Sequence, residues 1–282
     1  MRILWTIAGI LVAATAALSQ QAPLPPTQLV REVVYNELHD HDSHGYWRYW
    51  VEHRSAQKTQ LDEQVETVDG PVTRTTLSNG RPLDAEKQQQ EQERLAHLLH
   101  SPSEQARHRQ QYAEDEARIG RILSLLPDAY LFDDGGEQNG FRHLRFRPNP
   151  AYPAHSVEAR VFHAMSGELW ISTRYKRLAR LDGHLEENLD FGYGILGRIY
   201  KGGWFSLQRS QVSLTDWKTE RLEVHMDGRA MLFKTIARET SEHRGGFVQV
   251  PARMNLTQGL ALLSQGSSTT AMLAPASFTL HP

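Results

Sequence analysis

Apolar positions along this chain alternate more often than they recur at helical spacing. Between Met165 and Glu239 the pattern has a period of two, with Leu169, Ile171, Thr173 and Tyr175 on one face of a predicted strand. Asp182-Gly183 and Asp227-Gly228 interrupt later runs and predict hairpin turns. Upstream, Tyr46 to Arg54, Lys58 to Val68 and Val72 to Leu77 read as a three-stranded meander, turned at Asp69-Gly70 and closed by Asn79-Gly80. Phe141 to Arg147 alternates strictly, and Asp133 to Gly136 is the expected turn before it. Phe247 to Val250 is the last short strand, entered by a turn at Arg244-Gly245-Gly246.

Helical spacing appears in five places. Val30, Val33, Val34 and Leu38 recur three to four apart, behind Thr27 as a cap. The stretch 83–127 breaks the strand pattern and reads as a helical insertion of two helices. Asp84 caps the first, and Ser101-Pro-Ser-Glu104 is a capping box opening the second, which Pro127 should stop. Ser156 to Ala164 and Leu256 to Leu263 predict two short helices, with a Ser/Thr/Ala-rich mobile tail from Gln265.

Composition narrows the chemistry. The chain has 282 residues, no cysteine and a formal net charge of −2. Thiolate chemistry, disulfides and a lipid-modified cysteine are therefore absent, and no global field attracts nucleic acid. Met1-Arg2, the apolar run Ile3 to Ala17 and small residues at Ala17 and Ser19 predict a signal peptide over 1–19. An exported chain without cysteine suits a bacterial envelope. One α+β domain over 20–253 is expected, then 254–282 as a short helix and tail.

Motifs for catalysis are sparse. Gly192-Tyr-Gly194-Ile-Leu-Gly197 matches a dinucleotide fingerprint as a string, but Arg198 to Phe205 does not read as the helix that binding requires. Its apolar neighbours Phe191, Leu196, Trp204 and Phe205 read as plain core strands, as the rim of a cavity, or as a surface that touches a membrane or partner. His39, His41 and His44 with two aspartates form a candidate metal cluster, whose plain alternative is a solvated loop. The basic group Arg174, Lys176, Arg177 and Arg180 reads as a solvated strand edge. No cofactor is expected.

Gly167-Glu-Leu-Trp-Ile171 and Leu178-Ala-Arg-Leu-Asp-Gly183, in a chain with an export segment, an N-terminal amphipathic helix and a long antiparallel run, resemble the periplasmic lipoprotein-carrier (LolA/LolB-like) superfamily. That resemblance implies a strongly curved, unclosed antiparallel sheet, a half-barrel with helices packed on its concave side around an apolar cavity. It implies an exported, non-enzymatic protein that binds a lipid, a lipoprotein or another apolar ligand, and touches the membrane peripherally. The alternation assigns Leu169, Trp170, Ile171, Leu196, Trp204, Phe205, Leu222, Val224 and Phe233 to the cavity wall. Such a carrier needs a cavity of roughly 300 Å³ or more, and a ligand-free protein whose interior is filled by side chains would overturn the carrier reading. Two other readings are an envelope scaffold that holds a protein partner through the helical insertion, and a metal-dependent enzyme built on the three histidines.

Overall fold

The computed structural model describes residues 23–40, 45–191, 197–230 and 234–265. The expected signal peptide, the glycine-rich segment 192–196 and the tail beyond 265 lie outside them, as do His41, His44, Leu196 and Phe233. The described residues form an α+β fold built on one unclosed antiparallel sheet of thirteen strands.

Helix α1 (Pro26–Leu38) begins one residue before the expected cap. Pro26 lies in its first turn, where its missing N–H costs nothing, and no side chain caps the helix. The meander comes next as β1 (Tyr46–Ser55), β2 (Thr59–Val65), β3 (Val72–Ser78) and the short β4 (Arg81–Pro82). Asn79 and Gly80 both have positive φ, 52° and 72°, as the tight turn between β3 and β4 requires. Helix α2 (Ala85–His100) is capped by Asp84, which accepts from the Lys87 amide at 2.9 Å. Ser101 caps α3 (Pro102–Ala129), whose 28 residues span about 42 Å. Pro127 does not stop α3 but lies within its last turn.

The sheet resumes with β5 (Tyr130–Gln138) and β6 (Phe141–Pro148). The turn between them is Asn139-Gly140, with φ of 52° and 78°, while the expected turn at Asp133 to Gly136 is a bulge inside β5. Ser156 caps the short α4 (Val157–His163) by accepting from the Ala159 amide. Then come β7 (Met165–Ser172), β8 (Arg177–Leu185), β9 (Leu189–Phe191), β10 (Gly197–Ile199), β11 (Trp204–Gln211), β12 (Trp217–Ala230), β13 (Lys234–Val250) and α5 (Leu256–Gln265). The order across the sheet is β4-β3-β2-β1-β13-β12-β11-β8-β7-β6-β5, with β10 pairing to β12 and β9. The first and last long strands, β1 and β13, are therefore neighbours at its middle.

Three expected turns prove to lie within strands. Asp182-Gly183 is in β8, Asp227-Gly228 in β12 and Arg244 to Gly246 in β13. At Gly183 and Gly245 the missing side chain makes room for a ring on the adjacent strand instead. A Cβ on Gly183 would sit 2.4 Å from the Phe205 ring, and one on Gly245 would sit 2.6 Å from the Trp50 ring.

Register sorts the two faces of the sheet. Cross-strand pairs Leu144–Leu169, Leu169–Leu181, Leu181–Leu207 and Leu207–Leu222 make a row of five leucines over β6, β7, β8, β11 and β12. The apolar side of α1, with Leu29, Val30, Val33 and Val34 all buried, packs over this row together with the C-terminal part of α3. Along the same rows of pairs, Leu222–Glu242, Glu242–His53 and Arg244–Val51 lie on that same face. Val65 and Val72 fall on the opposite one, where α5 covers them with Leu256, Leu260 and Leu263. The described residues thus form two helix-on-sheet cores, on different faces and at different ends of the sheet.

Candidate functional site

Helix α3 roofs two spaces of opposite chemistry on the leucine-row face. Its C-terminal part, through Leu123 and Leu126, closes an apolar cavity also walled by Val30, Val33 and Val34 of α1. The floor is Phe146, Leu169, Ile171, Leu178, Leu181 and Phe205. The cavity holds only about 40 Å³, well below the roughly 300–1,000 Å³ of a small-molecule site. Among the described residues no preformed apolar chamber of that size is present, because α1 lays four buried aliphatic side chains against the leucine row. The interior is filled.

A polar cleft of about 1030 Å³ lies under the N-terminal half of the same helix. Its roof is Arg109, Tyr112, Ala113 and Glu116 of α3. Its floor comes from β1 and β2 (Tyr46, Tyr49, His53, Asp62, Gln64), with Glu66 just beyond β2. Lys218 of β12 and Glu242 and Arg244 of β13 close one side, and a smaller recess beside them continues to Arg209 and Trp217. The β2–β3 turn butts against the roof, since a Cβ on Gly70 would be 2.8 Å from the Tyr112 ring.

Buried ions stand between the cavity and the cleft. Glu37, at the end of α1, has a side chain only 9% exposed and accepts from three donors. These are Arg177 Nη2 at 3.2 Å, Arg209 Nη1 at 2.5 Å and the Leu178 amide at 3.1 Å. Arg177 also binds Asp40 at 2.5 Å. Glu37 lines the cavity and Asp40 lines the cleft, so Arg177 bridges the two compartments. Nothing in the sequence marked Arg177 apart from its neighbours. It reads as a member of an exposed basic group, yet it is among the most buried charges in the molecule. Only its place at the start of β8, opposite the end of α1, makes the difference.

Within the cleft the charges are largely paired with one another. Lys218 Nζ lies 2.8 and 2.9 Å from the two Glu66 oxygens. Arg244 binds Glu242 at 2.7 Å. The His53 ring lies between two carboxylates, Nδ1 at 3.4 Å from Glu242 and Nε2 at 3.6 Å from Asp62. Hydrogen bonding to His53, aided by Arg244, holds the Glu242 carboxyl down at about 2. The same contact with Glu242 raises the His53 pKa above its usual value, against the opposing effect of burial. Tyr49 is buried and its hydroxyl takes a hydrogen bond from Gln64 at 2.5 Å. Burial pushes the Tyr49 phenol up, with Glu66 adding to the effect, and pushes Tyr112 up to about 12.

The structure divides the residues assigned to the cavity from sequence. Leu169, Ile171 and Phe205 do line it. Trp170 and Trp204 lie on the opposite face, because neighbours in a strand point to opposite sides. Trp170 is stacked on His143 at 4.8 Å under Arg180, and Trp204 is stacked on His225 at 6.1 Å and is 41% exposed. Leu222 and Val224 pair with Leu207 and Phe205 on the leucine-row face, beyond the cavity wall. His39 caps the end of α1, its ring stacked on Tyr35 with Nδ1 2.7 Å from the Tyr35 carbonyl. Among the described residues no group of three or more His, Asp or Glu side chains is placed to hold a metal ion, and no helix is long and apolar enough to cross a membrane.

No protein-family model matches the chain, and neither a curated protein nor a solved structure does.

Proposed function

We propose that this chain is an exported, non-enzymatic binding protein of the bacterial cell envelope, and that its ligand is a lipid or another amphiphile. The observation that carries this reading is the pairing of a polar cleft with an apolar core under one helix, α3, linked by the Glu37–Arg177–Asp40 ions. The polar part of the ligand occupies the cleft, and its chain displaces α1 from the leucine row. The sheet in this proposal is the strongly curved half-barrel of a lipoprotein-carrier-like protein, with α1 and α3 on its concave side.

Magnitudes set the size of the chain. Lifting Leu29, Val30, Val33 and Val34 off the sheet exposes four side chains worth about 1.5–3 kcal/mol each, or roughly 6–12 kcal/mol. A buried methylene returns about 0.8 kcal/mol, so some ten methylenes or more are needed to offset the exchange. Short apolar ligands are therefore excluded. The cleft chemistry supports a binding role over catalysis. Glu242 is held ionised far below the working range of a proton-transfer group, and both His53 nitrogens already face carboxylates.

The test is native mass spectrometry of the protein purified without detergent from the envelope of a producing bacterium. One co-purifying lipid per chain supports the reading. A ligand-free protein that also takes up no C16 fatty acid or phospholipid on incubation rejects it. One observation favours the alternative, an envelope scaffold with a protein partner: of the sixteen residues of α2 only Leu95 is buried, leaving a long exposed side. Retention of a partner after removal of the lipid, and its loss with α2, would favour that reading instead.

A further inference from the structure

The paired charges of the cleft restrict the polar end of the ligand, an inference that rests on the amphiphile reading above. Five of the cleft carboxylates already have partners. Glu66 is held by Lys218, Glu242 by Arg244 and His53, and Asp62 by His53. Asp40 is held by Arg177, and Asp69 accepts from the Leu256 amide at the start of α5, at 3.0 Å. A cationic head group would have to break one of these pairs, and an anionic one would meet the six carboxylates Asp40, Asp62, Glu66, Asp69, Glu116 and Glu242 against the three cations Arg109, Lys218 and Arg244. Lys218 and Glu66 are only 14% and 18% exposed, so the released partner would be left partly desolvated without its counter-ion.

A neutral hydroxylated group faces no such cost. Each ionised carboxylate has about four lone-pair sites and each ammonium three hydrogens, so one ion pair leaves several unused. Hydroxyls act as donor and acceptor at once and bind such sites without separating charge. Charge assistance makes the resulting hydrogen bonds stronger than neutral ones. Tyr46 from β1 and Tyr112 from α3, both half-buried, add aromatic surface to the same cleft, suited to the C–H face of a sugar ring. The volume of about 1030 Å³ is ample for more than one ring.

We infer that the cleft binds a neutral, polyhydroxylated head group, and that the ligand is a sugar-bearing amphiphile whose chain passes the Arg177 bridge into the space beneath α1. The experiment is isothermal titration of the full chain with dodecyl maltoside below its critical micelle concentration, beside dodecyl sulfate, dodecyltrimethylammonium and maltose. The maltoside is expected to bind at least ten-fold more tightly than either charged detergent and than maltose. Tyr112→Ala is expected to weaken the maltoside at least five-fold, read on protein that circular dichroism shows to be folded at the assay temperature. Lys218→Met with Glu66→Leu, which replaces the ion pair by apolar groups, is expected to do the same.

Equal binding of all three detergents would overturn the head-group inference while the amphiphile reading stands. Maltose binding as tightly as the maltoside would overturn the chain, and with it the amphiphile reading, while supporting the sugar site. Tighter binding of a charged detergent, or a maltoside affinity unmoved by both variants, would overturn the assignment to this cleft. No binding by any probe would overturn both.

Discussion

Glu37 offers the sharpest structural test, because this one carboxylate is the junction of α1, β8 and β11. Its oxygens accept from Arg177, Arg209 and the Leu178 amide, and its side chain is 9% exposed. Glu37→Gln keeps the shape and an acceptor for the Leu178 amide but removes the charge. Among the described residues Arg209 then keeps the Trp217 carbonyl at 2.8 Å, and Arg177 keeps Asp40. Removing one partner of a buried ion pair costs about 3–5 kcal/mol. The amide keeps some of the hydrogen bonding, so the expected loss is about 2–4 kcal/mol. With a urea slope of roughly 2–3 kcal/mol/M, the unfolding midpoint should fall by about 1–2 M. The triple variant Glu37→Leu, Arg177→Met, Arg209→Met removes all three charges together. It should recover to within about 1–2 kcal/mol of the parent, since buried pairs are often replaceable by apolar groups. The readout is equilibrium urea unfolding followed by tryptophan fluorescence. A single variant within about 0.5 kcal/mol of the parent would refute the idea that these charges are mutually dependent.

Other consequences are measurable in the same way. Leu144, fully buried at the β6 end of the leucine row, should lose roughly 3–5 kcal/mol on change to Ala, measured by denaturant unfolding. Gly183→Val should destabilise by at least about 1–3 kcal/mol through collision with the Phe205 ring, and Phe205→Ala in the same chain should relieve part of that cost, a coupling that a double-mutant cycle reads directly. Stability should depend on pH through the His53–Glu242 contact. Glu242, held down at about 2, contributes fully above its ordinary 4.5 and loses that contribution as pH falls toward 2. His53, raised above its ordinary 6.5, contributes fully below 6.5 and loses that contribution as pH rises through its folded value. Across a series of urea midpoints from acid to alkaline pH, this contact should therefore contribute most between about 4.5 and 6.5, and His53→Ala should remove the fall on the alkaline side. Asp84→Ala should cost about 1 kcal/mol through loss of the α2 cap.

What the sequence made legible was local. The valine spacing of α1, the capping signals at Asp84 and Ser101, and the Asn79-Gly80 turn act within a few residues, and each appears where the pattern puts it. The turn expectations at Asp182-Gly183 and Arg244 to Gly246 failed for one physical reason. A glycine that permits a reverse turn and a glycine that admits a neighbouring ring look alike in one dimension. Phe205 and Trp50, which decide between them at Gly183 and Gly245, are far away in sequence. At Gly228 the close neighbour is backbone, the Arg198 carbonyl of β10, and it is equally remote along the chain. The cavity wall was half legible. Leu169 and Ile171 follow from alternation, but Trp170 was assigned to the wall with them, and strict alternation sends it to the other face. The cleft was not legible at all. Its walls come from β1, β2, β12, β13 and α3, and the decisive pairings, Lys218 with Glu66 and Glu242 with His53, join residues more than 150 positions apart.

The central claim is that α1 lifts from the leucine row to admit a chain, and the cysteine-free sequence permits a direct test. One cysteine placed on the inner side of α1 and one facing it on β8 can be oxidised to lock the helix down without competing thiols. Uptake of dodecyl maltoside should be lost in the locked protein and return on reduction. Uptake that is unchanged by the lock would contradict the claim.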